Sequence, residues 1–205
     1  LNITIPNNIN DTKPKISVIG IGGAGGNAVN TMINANVENI EFMVANTDGQ
    51  ALSRSLTKRQ IQLGKNLTLG LGAGSDAETG KKAAEESQDK IVELLDANTK
   101  MLFLTAGMGG GTGTGATPTI ARMTMEKQIL TVGIVTIPFS FEGTKRRDSG
   151  LAGVERLREF TDTLLVIPND KLLDASTHDE EALCFKGFPA KLPKLQSKTT
   201  LRKKS

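Results

Sequence analysis

Two short loops constrain this chain more than anything else in it. Gly20-Ile21-Gly22-Gly23-Ala24-Gly25-Gly26-Asn27 and Gly107-Met108-Gly109-Gly110-Gly111-Thr112-Gly113-Thr114-Gly115 hold five and six glycines, half of the 22 found in 205 residues. Each follows a short apolar, β-rich run and precedes apolar residues at helical spacing. Glycine lets the backbone turn tightly and approach a ligand closely. At a strand-to-helix junction the free N–H groups and the positive end of the helix dipole then favour a phosphate. Two such loops on one sheet make two phosphate cradles, enough to hold a polyphosphate from both sides.

The rest of the chain supplies that sheet. Ile16, Val18 and Ile19 form a strand ending at Gly20, and a helix is expected near Asn27 with Ala28, Val29, Met32 and Ile33 on one face. Further strands are expected at Phe42–Ala45, Arg59–Leu63, Met101–Ala106, Thr131–Ile137 and Leu164–Ile167. Between them lie helical patterns: Ala83–Leu95, one starting at Thr114 with Pro118 in its first turn, and one with Leu151, Val154, Leu157 and Phe160 at every third residue. Strands alternating with helices imply an α/β fold, a Rossmann-like parallel sheet with helices on both faces. Residues 1–14 read as a flexible arm. Beyond Lys171 the pattern fades into one short helix at 177–184 and a basic, proline-containing end that cannot bury enough apolar surface to order.

Charge separates the same parts. Residues 171–205 carry eight Lys/Arg against four Asp/Glu, a net +4, while residues 1–170 carry 17 against 18. The overall +3 therefore belongs to the tail, whose two Phe residues interleave too sparsely with its cations to suggest specific nucleic-acid binding. The lone Cys184 and lone His178 exclude a disulfide framework, a His/Cys metal cluster within one chain and, in practice, a Ser-His-Asp hydrolase. No run reaches the ~20 apolar residues of a membrane span. Leu1 to Lys15 lacks a signal pattern, so a reducing, cytoplasmic setting is expected.

The first loop alone admits two readings. Gly20, Gly22 and Gly25 satisfy G-x-G-x-x-G, and Asp48 follows the second strand where a ribose-binding acid of an NAD(P) domain would stand. A dinucleotide fold does not call for the second loop, however. No G-x-x-x-x-G-K-[ST] occurs, which excludes a P-loop NTPase.

Gly107–Gly115 resembles the signature loop of the tubulin/FtsZ family, and the likeness extends well beyond it. Val18 to Val29, Ala45-Asn46-Thr47-Asp48, Gly70-Leu71-Gly72-Ala73-Gly74, Pro138-Phe139-Ser140-Phe141-Glu142-Gly143 and Ile167-Pro168-Asn169-Asp170-Lys171-Leu172-Leu173 are all similar to the FtsZ-type, bacterial branch of the family. The likeness runs from about Lys15 to Leu173. It implies a GTP-binding domain (15–173) of a filament-forming cell-division GTPase. It also implies GTP or GDP with Mg2+, partners that are further copies, a complete homologue or division-site proteins, and a place at the division site. Matched motif by motif, Gly22, Gly23, Ala24, Gly25, Gly26 and Asn27 would wrap phosphates. Gly72, Ala73 and Gly74 would sense the γ-phosphate through backbone N–H groups. Gly109, Gly110, Gly111, Thr112, Gly113 and Thr114 would hold the α- and β-phosphates. Glu142 would accept from ribose hydroxyls, Arg146 and Asn169 would lie near sugar and base, and Asn46 and Asp48 would line the ribose and metal side. Plainer roles stay open for some of these: Asp48 as a helix cap, Arg146 in a solvated Lys145-Arg146-Arg147 run, Asn169 in a turn.

The likeness stops at Asp174. Family members continue there with a helix that contacts the guanine and a second domain carrying the acids that complete a neighbour's active site. No catalytic residue is therefore assigned. The expectation is a chain that binds nucleotide, more weakly than a complete relative, and does not hydrolyse it alone. A protein that caps filaments of a complete homologue is the second form of that expectation.

Overall fold

The computed structural model describes residues 15–95 and 98–171. The expected N-terminal arm, the 177–184 helix and the basic tail from 174 lie outside the described residues. Six strands, β1 (Lys15–Ile21), β2 (Glu41–Asn46), β3 (Gln60–Gln62), β4 (Thr99–Gly107), β5 (Leu130–Ile137) and β6 (Thr163–Pro168), form one sheet in the order β3-β2-β1-β4-β5-β6. Every pairing is parallel; Val18 of β1, for example, sits between Phe42 of β2 and Phe103 of β4. Seven helices connect them: α1 (Gly22–Asn34), α2 (Gly49–Ser53), α3 (Lys65–Thr68), α4 (Ala77–Glu86), α5 (Gln88–Leu94), α6 (Thr112–Glu126) and α7 (Thr144–Arg158). This is the doubly wound α/β architecture expected from the alternation of patterns.

Alternation along the central strands divides the core in two, because successive side chains leave opposite faces of a sheet. Ile19, Ile21, Met43, Ala45, Leu102 and Leu104 point toward α4, α5, α6 and α7, where Ala83, Ile91, Ile120 and Leu157 meet them in one large buried cluster. Val18 and Val44 point the other way, toward Val29 of α1 and Leu52 of α2, in a smaller one. On that second face Val132 and Ile134 of β5 remain half-buried, so among the described residues helical cover is complete on one side only.

Four expectations change. α1 begins at Gly22, not near Asn27, so the glycine run forms its first turns. Low helix propensity gives way to fit: a Cβ on Gly25 would overlap the Thr105 carbonyl of β4, so only glycine lets α1 start against the sheet. The Ala83–Leu95 helix is two, α4 and α5, divided at Ser87, whose Oγ accepts from Gly64 N–H at 2.9 Å. Pro118 lies in the interior of α6 rather than its first turn, because α6 already starts at Thr112; the proline leaves the Thr114 carbonyl without its helical donor. Leu151 is exposed, and α7 packs instead through Gly150, Gly153, Val154 and Leu157, at the i, i+3, i+4, i+7 spacing.

Candidate functional site

The strand order reverses between β1 and β4, with β2 and β3 on one side and β5 and β6 on the other. In open parallel sheets the crevice outside the carboxyl ends of the strands at such a reversal is where ligands bind. Both glycine loops leave the sheet there, one from β1 and one from β4. Between them lies a cleft of about 340 Å³. Its walls are Ile21–Ala24 at the start of α1, Gly107, Met108 and Gly110–Gly113 at the start of α6, Thr136 and Pro138 after β5, Glu142 and Arg146, and Asn169 after β6. A larger hollow of about 570 Å³ lies beside edge strand β3 and is lined by Arg59, Lys65 and Lys90 among others. It contains neither glycine loop, and Arg59 is already held by Glu41 and the Leu94 carbonyl.

The helix N-termini near this cleft are satisfied in different ways. The first N–H groups of any helix lack intrahelical partners. On α2 and α4 an aspartate supplies them. Asp48 Oδ1 accepts from Gln50 and Ala51 N–H, at 2.8 and 3.2 Å. Asp76 accepts from Glu78 and Thr79 N–H, at 3.3 and 2.9 Å. The Thr79 hydroxyl, then the Thr79 and Glu78 N–H groups, hold the Asp76 carboxyl below the usual carboxylate range. On α1 and α6 no side chain caps the N-terminus, and neither first turn carries an acid. These two uncapped, positive helix ends face each other across the cleft; α7, also uncapped and without an acid in its first turn, begins beside Glu142 at its rim.

The glycines divide by what a side chain would meet. A Cβ on Gly113 would overlap the Gly107 carbonyl, so this residue serves packing. Gly23 and Gly110 are on the cleft wall and would meet nothing within 4 Å. A packing explanation is missing for those two, and room for a ligand is what they leave.

Of the residues singled out from sequence, Gly22, Gly23, Ala24, Gly110, Gly111, Thr112, Gly113, Glu142, Arg146 and Asn169 come together on the cleft wall. Glu142 is fixed there by two bonds: Oε1 accepts from Phe139 N–H at 2.9 Å and Oε2 from Arg146 Nη1 at 2.8 Å. Asn169 is anchored by its N–H to the Ile137 carbonyl at 3.1 Å. The others sit behind or beside the wall. Gly25 is wedged under β4, with Gly26 and Asn27 following on α1. Thr114 is fully buried and its Oγ1 accepts from Gly109 N–H at 2.8 Å, so it braces the loop from beneath instead of offering a hydroxyl to the cleft. Asn46 is buried, its Oδ1 accepting from Asp48 N–H at 3.2 Å, and Asp48 caps α2. Gly72 gives its N–H to the Thr47 carbonyl at 3.3 Å, Ala73 is buried with its methyl against Gly111, and Gly74 opens outward.

Sequence reasoning missed Ile21, Gly107, Met108, Thr136 and Pro138 on the wall, and Thr47 behind it. Pro138 opens the Pro138–Gly143 segment and could have been found there. Thr136 carries no signal beyond its place at the end of an apolar strand. Among the described residues no group of three or more His, Cys, Asp or Glu could hold a metal ion, and no helix is long and apolar enough to cross a membrane.

Fold and site together define a doubly wound α/β domain with a glycine-lined cleft at its switch point. The family model for the tubulin/FtsZ family, GTPase domain, matches residues 15–177. The cell division protein FtsZ of Bartonella bacilliformis is 56% identical over 164 residues, which cover 80% of this chain and 28% of that protein. The cell division protein FtsZ of Magnetospirillum gryphiswaldense is 53% identical over 173 residues, covering 84% and 31%. Among solved structures, the empty FtsZ dimer of M. jannaschii superimposes with a TM-score of 0.79 at 41% identity, covering 85% of this chain and 51% of that one. The chain belongs to the tubulin/FtsZ family and carries its GTPase domain. It spans less than a third of the length of those two curated relatives.

Proposed function

We propose that the cleft binds GTP and GDP, and that the chain acts as the nucleotide-binding part of a filament-forming cell-division protein. The observation that carries the reading is the pair of uncapped helix N-termini, each opened by a glycine-rich turn, converging on one cleft, while α2 and α4 are capped by aspartate. In this reading the backbone N–H groups of Gly22–Gly26 and Gly110–Gly113 take the phosphates, while Gly109, whose N–H is held by Thr114, shapes the loop. Thr112 adds a hydroxyl, and the Gly72–Gly74 loop, in contact with Gly111 through Ala73, stands at the γ-phosphate end. Glu142 receives ribose hydroxyls, with Arg146 and Asn169 beside sugar and base. Mg2+ would ride on the phosphates and waters in place of a protein cage; Asp48 Oδ2, outside the α2 cap bonds, is the oxygen on offer on that side.

The only carboxylate on the described cleft wall is Glu142, already held by Phe139 and Arg146. We therefore assign binding residues and no catalytic one. Self-association, or docking on a complete homologue, is the partner reading, in keeping with the dimer seen for the M. jannaschii relative. Its place would be the cytoplasmic division site.

Thermal unfolding tests the ligand. At about 100 times Kd, GDP or GTP with Mg2+ should add about 2.7 kcal/mol and raise Tm by roughly 5–10 °C. NAD+ should leave Tm unchanged. A shift with NAD+ and none with guanine nucleotides would replace this reading with the dinucleotide one.

A further inference from the structure

Thr47 is fully buried between β2 and α2, and its Oγ1 lies 2.7 Å from Thr112 Oγ1. Its carbonyl accepts from the Thr68 hydroxyl at 3.2 Å and from Gly72 N–H at 3.3 Å. One residue thus touches the α6 N-terminus with its side chain and the Gly70–Gly74 loop with its backbone.

The two hydroxyls share one hydrogen bond, and burial decides its direction. Among the described residues the Thr47 hydroxyl finds no acceptor but Thr112. If Thr112 donated, the Thr47 proton would be buried without a partner, which is costly. Thr47 therefore donates, and the proton of Thr112 is left to point elsewhere. Thr112 is half-buried on the cleft wall, so elsewhere is the cleft. Reversed, the pair would turn oxygen lone pairs toward the ligand and repel an anion.

We infer that Thr47 is a positioning residue: it sets the polarity of the Thr112 hydroxyl, making it a donor aimed at a phosphate oxygen. The inference rests on the nucleotide reading above. It extends that reading to a residue with no place on the cleft wall.

Calorimetric GDP binding by the full chain tests it, with Thr47→Val, Thr47→Ser, Thr112→Val and the double variant Thr47→Val/Thr112→Val. Thr47→Val should weaken GDP about fivefold, because the Thr112 hydroxyl stays but loses the neutral hydrogen bond that fixes its direction. Thr47→Ser, which keeps the donor, should restore wild-type affinity. In the Thr112→Val background Thr47→Val should change nothing further, because its whole effect passes through Thr112. Equal losses with and without the Thr112 hydroxyl, or wild-type affinity in Thr47→Val, would overturn the inference. A fold defect shows as a Tm drop that Thr47→Ser shares, and that outcome also counts against it. No GDP binding by the wild-type chain would instead remove the nucleotide reading, and this inference with it.

Discussion

Gly110→Ala separates binding from folding. Gly110 is on the cleft wall, adopts no positive φ, and has nothing within 4 Å of where its Cβ would stand. In the unliganded protein the methyl group costs no contact. Fewer unfolded conformations should even stabilise the variant by about 0.4–1 kcal/mol, raising Tm by roughly 1–4 °C. The same methyl occupies the space a phosphate oxygen needs to reach the loop N–H. Losing one hydrogen bond to a charged group costs about 1.5–3 kcal/mol, roughly 10- to 150-fold in Kd. At a GDP concentration about 100 times the wild-type Kd, the ligand contribution should fall from about 2.7 kcal/mol to about 0.3–1.4. Thermal melts with and without GDP and Mg2+ read both numbers from one sample. A variant that keeps the full ligand shift would refute the placement of phosphate at Gly110. One that melts well below wild type without ligand would refute the claim that the space is open.

Other outcomes follow from the same contacts. Gly115→Ala places a Cβ into the Ala77 carbonyl and Lys81 N of α4, and should destabilise by about 1–3 kcal/mol in a denaturant melt. Glu142→Ala frees Arg146 and the Phe139 N–H while exposing little, so it should lower GDP affinity with little change in Tm; unchanged affinity would remove Glu142 from the site. Because its carboxyl is lowered by the Thr79 and Glu78 bonds, Asp76 contributes stability that is present above the ordinary aspartate pKa and lost as pH falls through its folded value. Melts of wild type and Asp76→Ala should therefore differ near neutral pH and converge in acid.

Much of this was legible in the sequence because parallel strands covered on both faces read as apolar runs, and β1, β2 and β4 are such runs. The two glycine loops were legible as loops because a tight turn by itself does not need so many glycines together. What the loops hid was their division of labour: Gly25 and Gly113 answer to neighbouring carbonyls, Gly23 and Gly110 to open space, and only coordinates tell them apart. Helix α2 was legible only as the cap at Asp48, and α3 not at all, since four or five residues are too few for a periodic pattern. Thr114 and Thr112 look alike in sequence, yet one braces the loop beneath and the other faces the cleft. Their direction depends on where α6 starts, two residues before the start read from the pattern.

Helix α6 has a consequence for how the protein breathes. Eleven of its 15 residues are buried. Gly115 admits the backbone of α4, and α7 closes on α6 through Gly153 against Thr114, with Gly150 against Gly109 of the preceding loop. Those two neighbours carry the other sides of the cleft: α4 follows the Gly70–Gly74 loop, and Glu142 and Arg146 stand at the head of α7. Local openings that let amide hydrogens exchange with solvent should therefore spare α6 until the whole domain unfolds, while the exposed turns of α2 and α3 exchange first. A ligand arriving at the cleft meets walls keyed to a helix that does not open, and the ordering cost of assembling the site has been met before it arrives.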